Sequence, residues 1–243
     1  MALRTVKKIL VTALDIACPG VCLSCGALLE GPWELPLCGP CTVEANFAGD
    51  MMCPRCGAGV TRDPEEMRMC PKCHDLNLNF ERAVSLAPYE GPMGQVVRAL
   101  KFRGRRALAG PLGRMLAAIL RRQDFTQHLD VIVPVPIHWR RRFKRGFNQS
   151  ELIAQSLGRA LGLPVEGRNL RRIRHTKPQT RLSRRERLSN LKGAFRVRRP
   201  GAFKDRNVLL VDDVMTTGGT ITECSREIRK AGAKQIYAAF AAR

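Results

Sequence analysis

Residues 208–211 (VLLV) are apolar at every position and run directly into Asp212, Asp213 and the loop VMTTGGT. Such a run has no polar face. A strand built from it must be covered on both sides, as a central strand of a parallel sheet is. Downstream, Ile221, Cys224 and Ile228 recur on one side of a helical pattern over 220–231, with Arg226, Arg229 and Lys230 elsewhere. Gly232 ends that pattern, and residues 235–241 form another apolar strand. Strand, loop, helix and strand make a βαβ crossover, which commits this part of the chain to an α/β fold with a parallel sheet.

The loop between strand and helix has a definite chemistry. Unpaired N–H groups and the helix dipole at a helix start favour an anion. Thr216, Thr217 and Thr220 add hydroxyl donors, and Gly218 and Gly219 let the backbone approach a phosphate with no Cβ in the way. Asp212 and Asp213 would repel the phosphate itself. They fit as acceptors for sugar hydroxyls attached to it, such as those of a ribose. Helix capping accounts for one carboxylate and leaves the other without a role. The loop is neither a Walker A sequence, since no GK[ST] follows, nor GxGxxG.

Upstream, 82–89 (RAVSLAPY) reads as a strand and 93–102 (MGQVVRALKF) as a short amphipathic helix carrying Arg98 and Lys101. A second helix spans 108–120, residues 130–136 (DVIVPVP) form a buried strand closed by prolines, and helical spacing returns over 147–161. Charge concentrates in this region. Residues 98–206 hold 29 Lys/Arg against 6 Asp/Glu, a net of +23 in a chain whose total is +21. Such a segment attracts phosphate, whether of nucleotides, nucleic acid or anionic lipid.

Five of these basic residues lie within 140–145, in a loop expected after the 130–136 strand, where open α/β sheets take ligands. A solvated charged face is the alternative. The polar, basic stretch 175–195 suits a mobile loop leading into a short helix. It could close over a phosphorylated substrate or touch nucleic acid.

Nine of the ten cysteines precede residue 74. Cys22 and Cys25 are followed after twelve residues by Cys38 and Cys41, and Cys53 and Cys56 after thirteen by Cys70 and Cys73. The first pair of each set continues with Gly-Ala, so the unit is an internal repeat of about 31 residues. A tight CxxC turn presents two thiolates to one Zn²⁺, and a second pair completes a tetrahedral S₄ site. A disulfide framework would need an oxidising compartment, and a redox CxxC would stand singly beside a βαβ unit. An iron–sulfur cluster is a further option. Sequential pairing, 22/25/38/41 and 53/56/70/73, is expected, with interleaved pairing open. Closed S₄ sites hold a fold and leave no position for chemistry. Cys18 reads as a packed thiol and His74 as a surface residue.

At the N-terminus, Leu3, Val6, Ile9, Leu10, Ala13, Leu14 and Ala17 recur at helical spacing, and Asp15 interrupts the apolar run. An amphipathic helix over 1–17 is expected rather than a cleaved signal. No stretch is long and apolar enough for a membrane span, and the cytoplasm is the expected compartment. The organisation is then a helix (1–17), a double zinc ribbon (18–76) and an α/β domain (77–243).

The segment 208–220 resembles the type I phosphoribosyltransferases, whose signature is an apolar strand, two acidic residues and a threonine/glycine-rich loop. That resemblance implies a parallel sheet flanked by helices and a site for 5-phosphoribosyl-1-pyrophosphate (PRPP) with Mg²⁺. Asp212 and Asp213, the catalytic residues of this scheme, would hold the ribose hydroxyls. Val214, Met215, Thr216, Thr217, Gly218, Gly219 and Thr220 would form the loop around the 5′-phosphate. Purine-salvage members carry an aspartate at the position of Thr216 as general base toward the purine. Orotate members carry threonine there.

Segments 89–104, 130–150 and 177–195, together with the cysteine repeat, narrow the resemblance to the ComF family of competence-associated proteins. By that resemblance the chain is a bacterial cytosolic protein linked to DNA uptake, working beside a DNA-translocating helicase. Pro136, Arg140, Arg145, Lys177 and Arg181 would serve pyrophosphate or another anion.

Two functions are expected from these observations. One is a Mg²⁺-dependent phosphoribosyltransferase that releases pyrophosphate. The other is a non-catalytic adaptor that binds single-stranded DNA through 98–206 and keeps the fold and PRPP binding.

Overall fold

The computed structural model describes residues 20–29, 34–47, 52–60, 70–174 and 191–243. The helix expected over 1–17, Cys18, Lys177, Arg181 and most of the 175–195 loop lie outside the described residues. In chain order the elements are α1 (Gly39–Glu44), β1 (Arg82–Ala87), α2 (Gly91–Phe102), α3 (Ala109–Leu120), β2 (Val131–Pro134), α4 (Trp139–Arg145) and α5 (Gln149–Leu161). They continue with β3 (Leu170–Arg172), β4 (Phe195–Val197), β5 (Asn207–Val214), α6 (Gly219–Lys230) and β6 (Gln235–Ala242).

Four strands form one parallel sheet in the order β1-β6-β5-β2. The two apolar runs of the βαβ unit, β5 and β6, are its inner strands, and both faces of the sheet are covered. Leu209, Val211, Ala239 and Ile132 point into a core shared with α2, α3 and α5. Their neighbours Val208, Leu210, Ala238 and Val131 point into a second core shared with α6 and the β3–β4 pair. The alternation follows from the two-residue period of a strand.

The two cysteine sets straddle the sheet. Cys22 and Cys41 join the first core, with Leu23, Leu35 and Leu37. All four cysteines of the second set join the other. The repeat is visible bond for bond: Cys22 N–H donates to Ala27 O and Gly26 N–H to Cys22 O, and Cys53 N–H donates to Ala58 O and Gly57 N–H to Cys53 O. Gly26 and Gly57 stand at φ of 77° and 72°, the left-handed region that closes each turn.

Residues 140–145 correct an expectation. They belong to a short helix, α4, rather than to a loop. Arginine and lysine are good helix formers, His138 Nδ1 accepts from the Arg140 N–H at 3.3 Å, and Gly146 at φ 80° closes the far end. Three cations in the last turn suit the dipole there. The antiparallel pair β3–β4 was also not anticipated; three residues per strand carry too short a pattern to register.

Candidate ligand-binding site and metal centres

Asp212 and Asp213 sit at the C-terminal end of β5, between β2 and β6, at the sheet edge where parallel α/β folds open to ligands. Neither carboxylate stands alone. Asp212 Oδ1 accepts from Ser150 Oγ at 2.7 Å and from the Asp213 N–H at 2.9 Å. Ser150 lies in the first turn of α5. Asn148 caps that helix and donates its Nδ2 to Val135 O at 3.0 Å, which pins the helix start to the segment after β2. Asp213 is buried and makes an ion pair with Lys101 Nζ at 2.9 Å, reaching across from the last turn of α2.

Electrostatics follow from this packing. Burial, reinforced by the neighbouring Asp213 charge, pushes Asp212 up to about 7 against the pull of Lys101 and Ser150. Burial also pushes the Lys101 ammonium down, but Asp213 and then Asp212 push it back further, so it stands above the ordinary lysine value. The acidic pair therefore carries a permanent cation beside it.

The loop enters α6 through Gly218 at φ 77°, which serves as N-cap. The N–H groups of the first helical turn have no partner within the helix. They border a depression of about 50 Å³ lined by Asp212 and by residues 214–221. Among the described residues none bonds to the Thr216 or Thr217 hydroxyls. Arg243, just past β6, donates Nη1 to Met215 O at 3.3 Å and to Thr216 O at 2.5 Å. The side chain of Thr216, at the position of the purine-salvage aspartate, is exposed.

The basic residues divide. Pro136 is buried two residues after β2. Arg145 is half-buried, donates to Gln149 Oε1 at 2.5 Å, and lies 5.4 Å over the Phe102 ring. Burial lowers its guanidinium while the Asp213 charge opposes, which places it within electrostatic reach of the acidic pair. Arg140 lies instead 5.3 Å over Trp139 on the exposed side of α4. Trp139 and Phe143, one helical turn apart, are 64% and 89% exposed, and Phe102 is 72% exposed.

The cysteines gather as two sets of four: Cys22, Cys25, Cys38 and Cys41, and Cys53, Cys56, Cys70 and Cys73. Sulfur separations are 3.5 Å for Cys25–Cys38, 3.8 Å for Cys53–Cys73 and 3.9 Å for Cys56–Cys70. A tetrahedron with metal–sulfur bonds of about 2.3 Å has edges of about 3.8 Å, whereas a disulfide needs about 2.05 Å. The donor sets fit a metal ion and not disulfides. Burial opposes ionisation of Cys22, but the N–H groups of Cys25, Cys38 and Ser24 bring it down to about 6. The Cys56 thiol, with the N–H groups of Cys56 and Arg55, brings Cys53 down to about 5 against its burial. His74 pairs with Asp75 at 3.1 Å and belongs to neither set.

Sequence reasoning named the acidic pair, the loop and the cysteines. It did not name Lys101, Ser150 or Arg243 as parts of the site. Two adjacent carboxylates on a buried strand demand a countercharge, and that demand was the available signal for Lys101.

The Phosphoribosyl transferase domain family matches residues 112–243. The chain is 35% identical over 222 residues to DNA utilization protein YhgH of Escherichia coli, covering 90% of this chain and 94% of that protein. It is 31% identical over 227 residues to Competence protein F of Haemophilus influenzae, covering 92% and 90%. With Competence protein ComFC of Bacillus subtilis it shares 26% over 209 residues, covering 84% and 82%.

Proposed function

The chain belongs to the phosphoribosyl transferase domain family, alongside DNA utilization protein YhgH and Competence protein F, and from that premise we propose that it binds PRPP and acts in the uptake or utilisation of DNA. One observation carries the PRPP reading. A helix N-terminus with three threonines adjoins, in one depression, the Asp212 carboxylate, with Asp213 buried beside it. The first turn of α6, with Thr216, Thr217 and Thr220, receives the 5′-phosphate. Asp212, already oriented by Ser150, and Asp213, held by Lys101, accept the ribose hydroxyls.

In transfer, the bond from C1 to the pyrophosphate oxygen breaks, pyrophosphate leaves with the electron pair, and the acceptor bonds to C1 through a lone pair, releasing any proton on that atom to solvent. Mg²⁺ would supply charge neutralisation for the diphosphate, with Asp212 the carboxylate of the depression available to it. Lys101, paired with Asp213, and Arg145, on which the Asp213 charge acts, are cations on the α2 and α4 sides that stabilise the departing charge. The aspartates orient the sugar and move no proton. Arg140, Lys177 and Arg181 enter this proposal as pyrophosphate contacts on the family resemblance alone. Zinc is the metal we assign to both cysteine sets, on the sulfur spacing. Release of pyrophosphate from PRPP, followed with nucleobases and with single-stranded DNA as acceptors, tests the transfer. No release with any acceptor would leave binding without transfer.

A second reading rests on α4. Trp139 and Phe143 share a face, lie exposed, and are interleaved with Arg140, Arg141, Arg142, Lys144 and Arg145. Exposed rings among guanidinium groups suit single-stranded DNA, whose bases stack while its phosphates meet the cations. The adaptor role beside a DNA-translocating helicase uses this face and is compatible with PRPP binding.

A further inference from the structure

Arg243 joins two places that the sequence keeps far apart. Its Nη1 donates to the carbonyls of Met215 and Thr216, and its Nη2 donates to Lys72 O at 2.9 Å. Lys72 lies between Cys70 and Cys73, in the turn that presents the last two thiols of the second cysteine set. The guanidinium is buried and spans the phosphate loop and the metal turn at once. Because its fork is planar and rigid, it fixes the distance between the carbonyls it binds.

Further contacts run in parallel. After Cys73 the chain passes Leu76 and Leu78 along the loop, and a Cβ on Gly218 would come within 3.1 Å of Leu78 Cδ2. Asn79 Nδ2 donates to Thr222 O in the first turns of α6 at 3.5 Å. Glu81 pairs with Arg229 of the same helix at 2.7 Å. On its other side the second set is fastened to the sheet. The Ala83 N–H donates to Pro54 O at 3.1 Å, Ser85 Oγ donates to Gly57 O at 2.5 Å, and a Cβ on Gly57 would stand 2.9 Å from the Val84 carbonyl carbon. The first cysteine set packs on the opposite core and, among the described residues, has none of these bonds to the loop.

We infer that the second cysteine set is the anchor of the phosphate-binding loop and that Arg243 is the positioning residue linking them, so that metal at Cys53, Cys56, Cys70 and Cys73 sets the affinity of the loop for its ligand. The ligand clause rests on the PRPP reading above; the mechanical link does not. Metal fixes the Cys70–Cys73 turn, the turn fixes the Lys72 carbonyl, and Arg243 then holds the Met215 and Thr216 carbonyls outward so that the loop presents its N–H groups. Coupling of this kind is reciprocal. A ligand on the loop strengthens metal retention at the second set and leaves the first unaffected.

The test uses the full chain with metal bound, in wild type, Arg243→Met, Arg243→Lys, Cys70→Ser and Cys25→Ser. Hydrogen exchange is read over the segment containing Met215, whose N–H donates to Ala242 O, and Thr222, whose N–H donates to Gly218 O. Arg243→Met is expected to keep its metal and overall helicity while exchange of these amides rises about tenfold, with Arg243→Lys in between. Cys70→Ser is expected to match Arg243→Met, and Cys25→Ser to leave the segment at wild-type rates. PRPP affinity should fall in the same order. Unchanged exchange in Arg243→Met, or equal loosening in Cys25→Ser, overturns the link. Wild type that fails to bind PRPP while the exchange pattern appears would reject the ligand reading and leave the link standing.

Discussion

The Lys101 ammonium lies 2.9 Å from the Asp213 carboxylate, whose side chain is only 4% exposed. A buried carboxylate without its cation is strongly disfavoured, because the charge has left water and found no partner. Lys101→Met should therefore cost about 3 kcal/mol of stability in urea unfolding, and Lys101→Met/Asp213→Asn should recover much of it. Additive losses in the double variant would mean that the two groups do not interact.

The raised value of Asp212, about 7, gives stability a definite pH dependence. The unfolded carboxyl ionises near 4. Below that pH both states are protonated and nothing is lost. Between about 4 and 7 the folded state holds a proton that the unfolded state has released, so stability declines as pH rises and the loss is complete above 7. Asp212→Asn removes the penalty. Relative to wild type it should gain on the order of 1 kcal/mol or more at pH 8 compared with pH 5. A difference that does not change with pH would contradict the burial of this charge.

Sequential cysteine pairing makes a stoichiometric prediction. Wild type should hold two zinc ions per chain by elemental analysis, and Cys25→Ser should hold one. Cys25→Ser/Cys41→Ser should likewise hold one, because both cysteines belong to the same set, whereas interleaved ligation would put them on different ions and disturb both. Since bound thiols must be deprotonated, both metals should leave as the solution is acidified.

The exposed face of α4 predicts the energetics of DNA binding. Phe143→Ala and Trp139→Ala should each weaken single-stranded DNA about tenfold, as expected when one stacked base is lost. Lys144→Ala should instead lower the slope of log affinity against log salt by about 0.7. Phe143→Ala with unchanged affinity would remove stacking from the account.

Much of the fold was legible because its strongest signals are local. The apolar run at 208–211, the helical spacing after it and the glycines around 218 are all contained in β5, the loop and α6. The spacing of the cysteine pairs made sequential grouping the expectation and left interleaving open, and the two sets of four gather in the sequential order. What escaped was set by packing between distant segments. Lys101 and Ser150 reach Asp213 and Asp212 from other helices. The link from Arg243 to Lys72 spans 171 positions. A basic run was likewise read as loop where His138 and Gly146 close it into a helix. Charge alone does not distinguish the two, and the caps that decide are weak signals in a short element.

The central claim is that the end of β5 and the start of α6 bind a ribose carrying a phosphate. Calorimetric titration of PRPP with Mg²⁺ into wild type and into Asp212→Asn/Asp213→Asn tests it most directly. The account predicts saturable binding of one PRPP per chain to wild type, weakened at least tenfold in the double variant. No heat of binding with wild type, or equal affinity in both proteins, would contradict it.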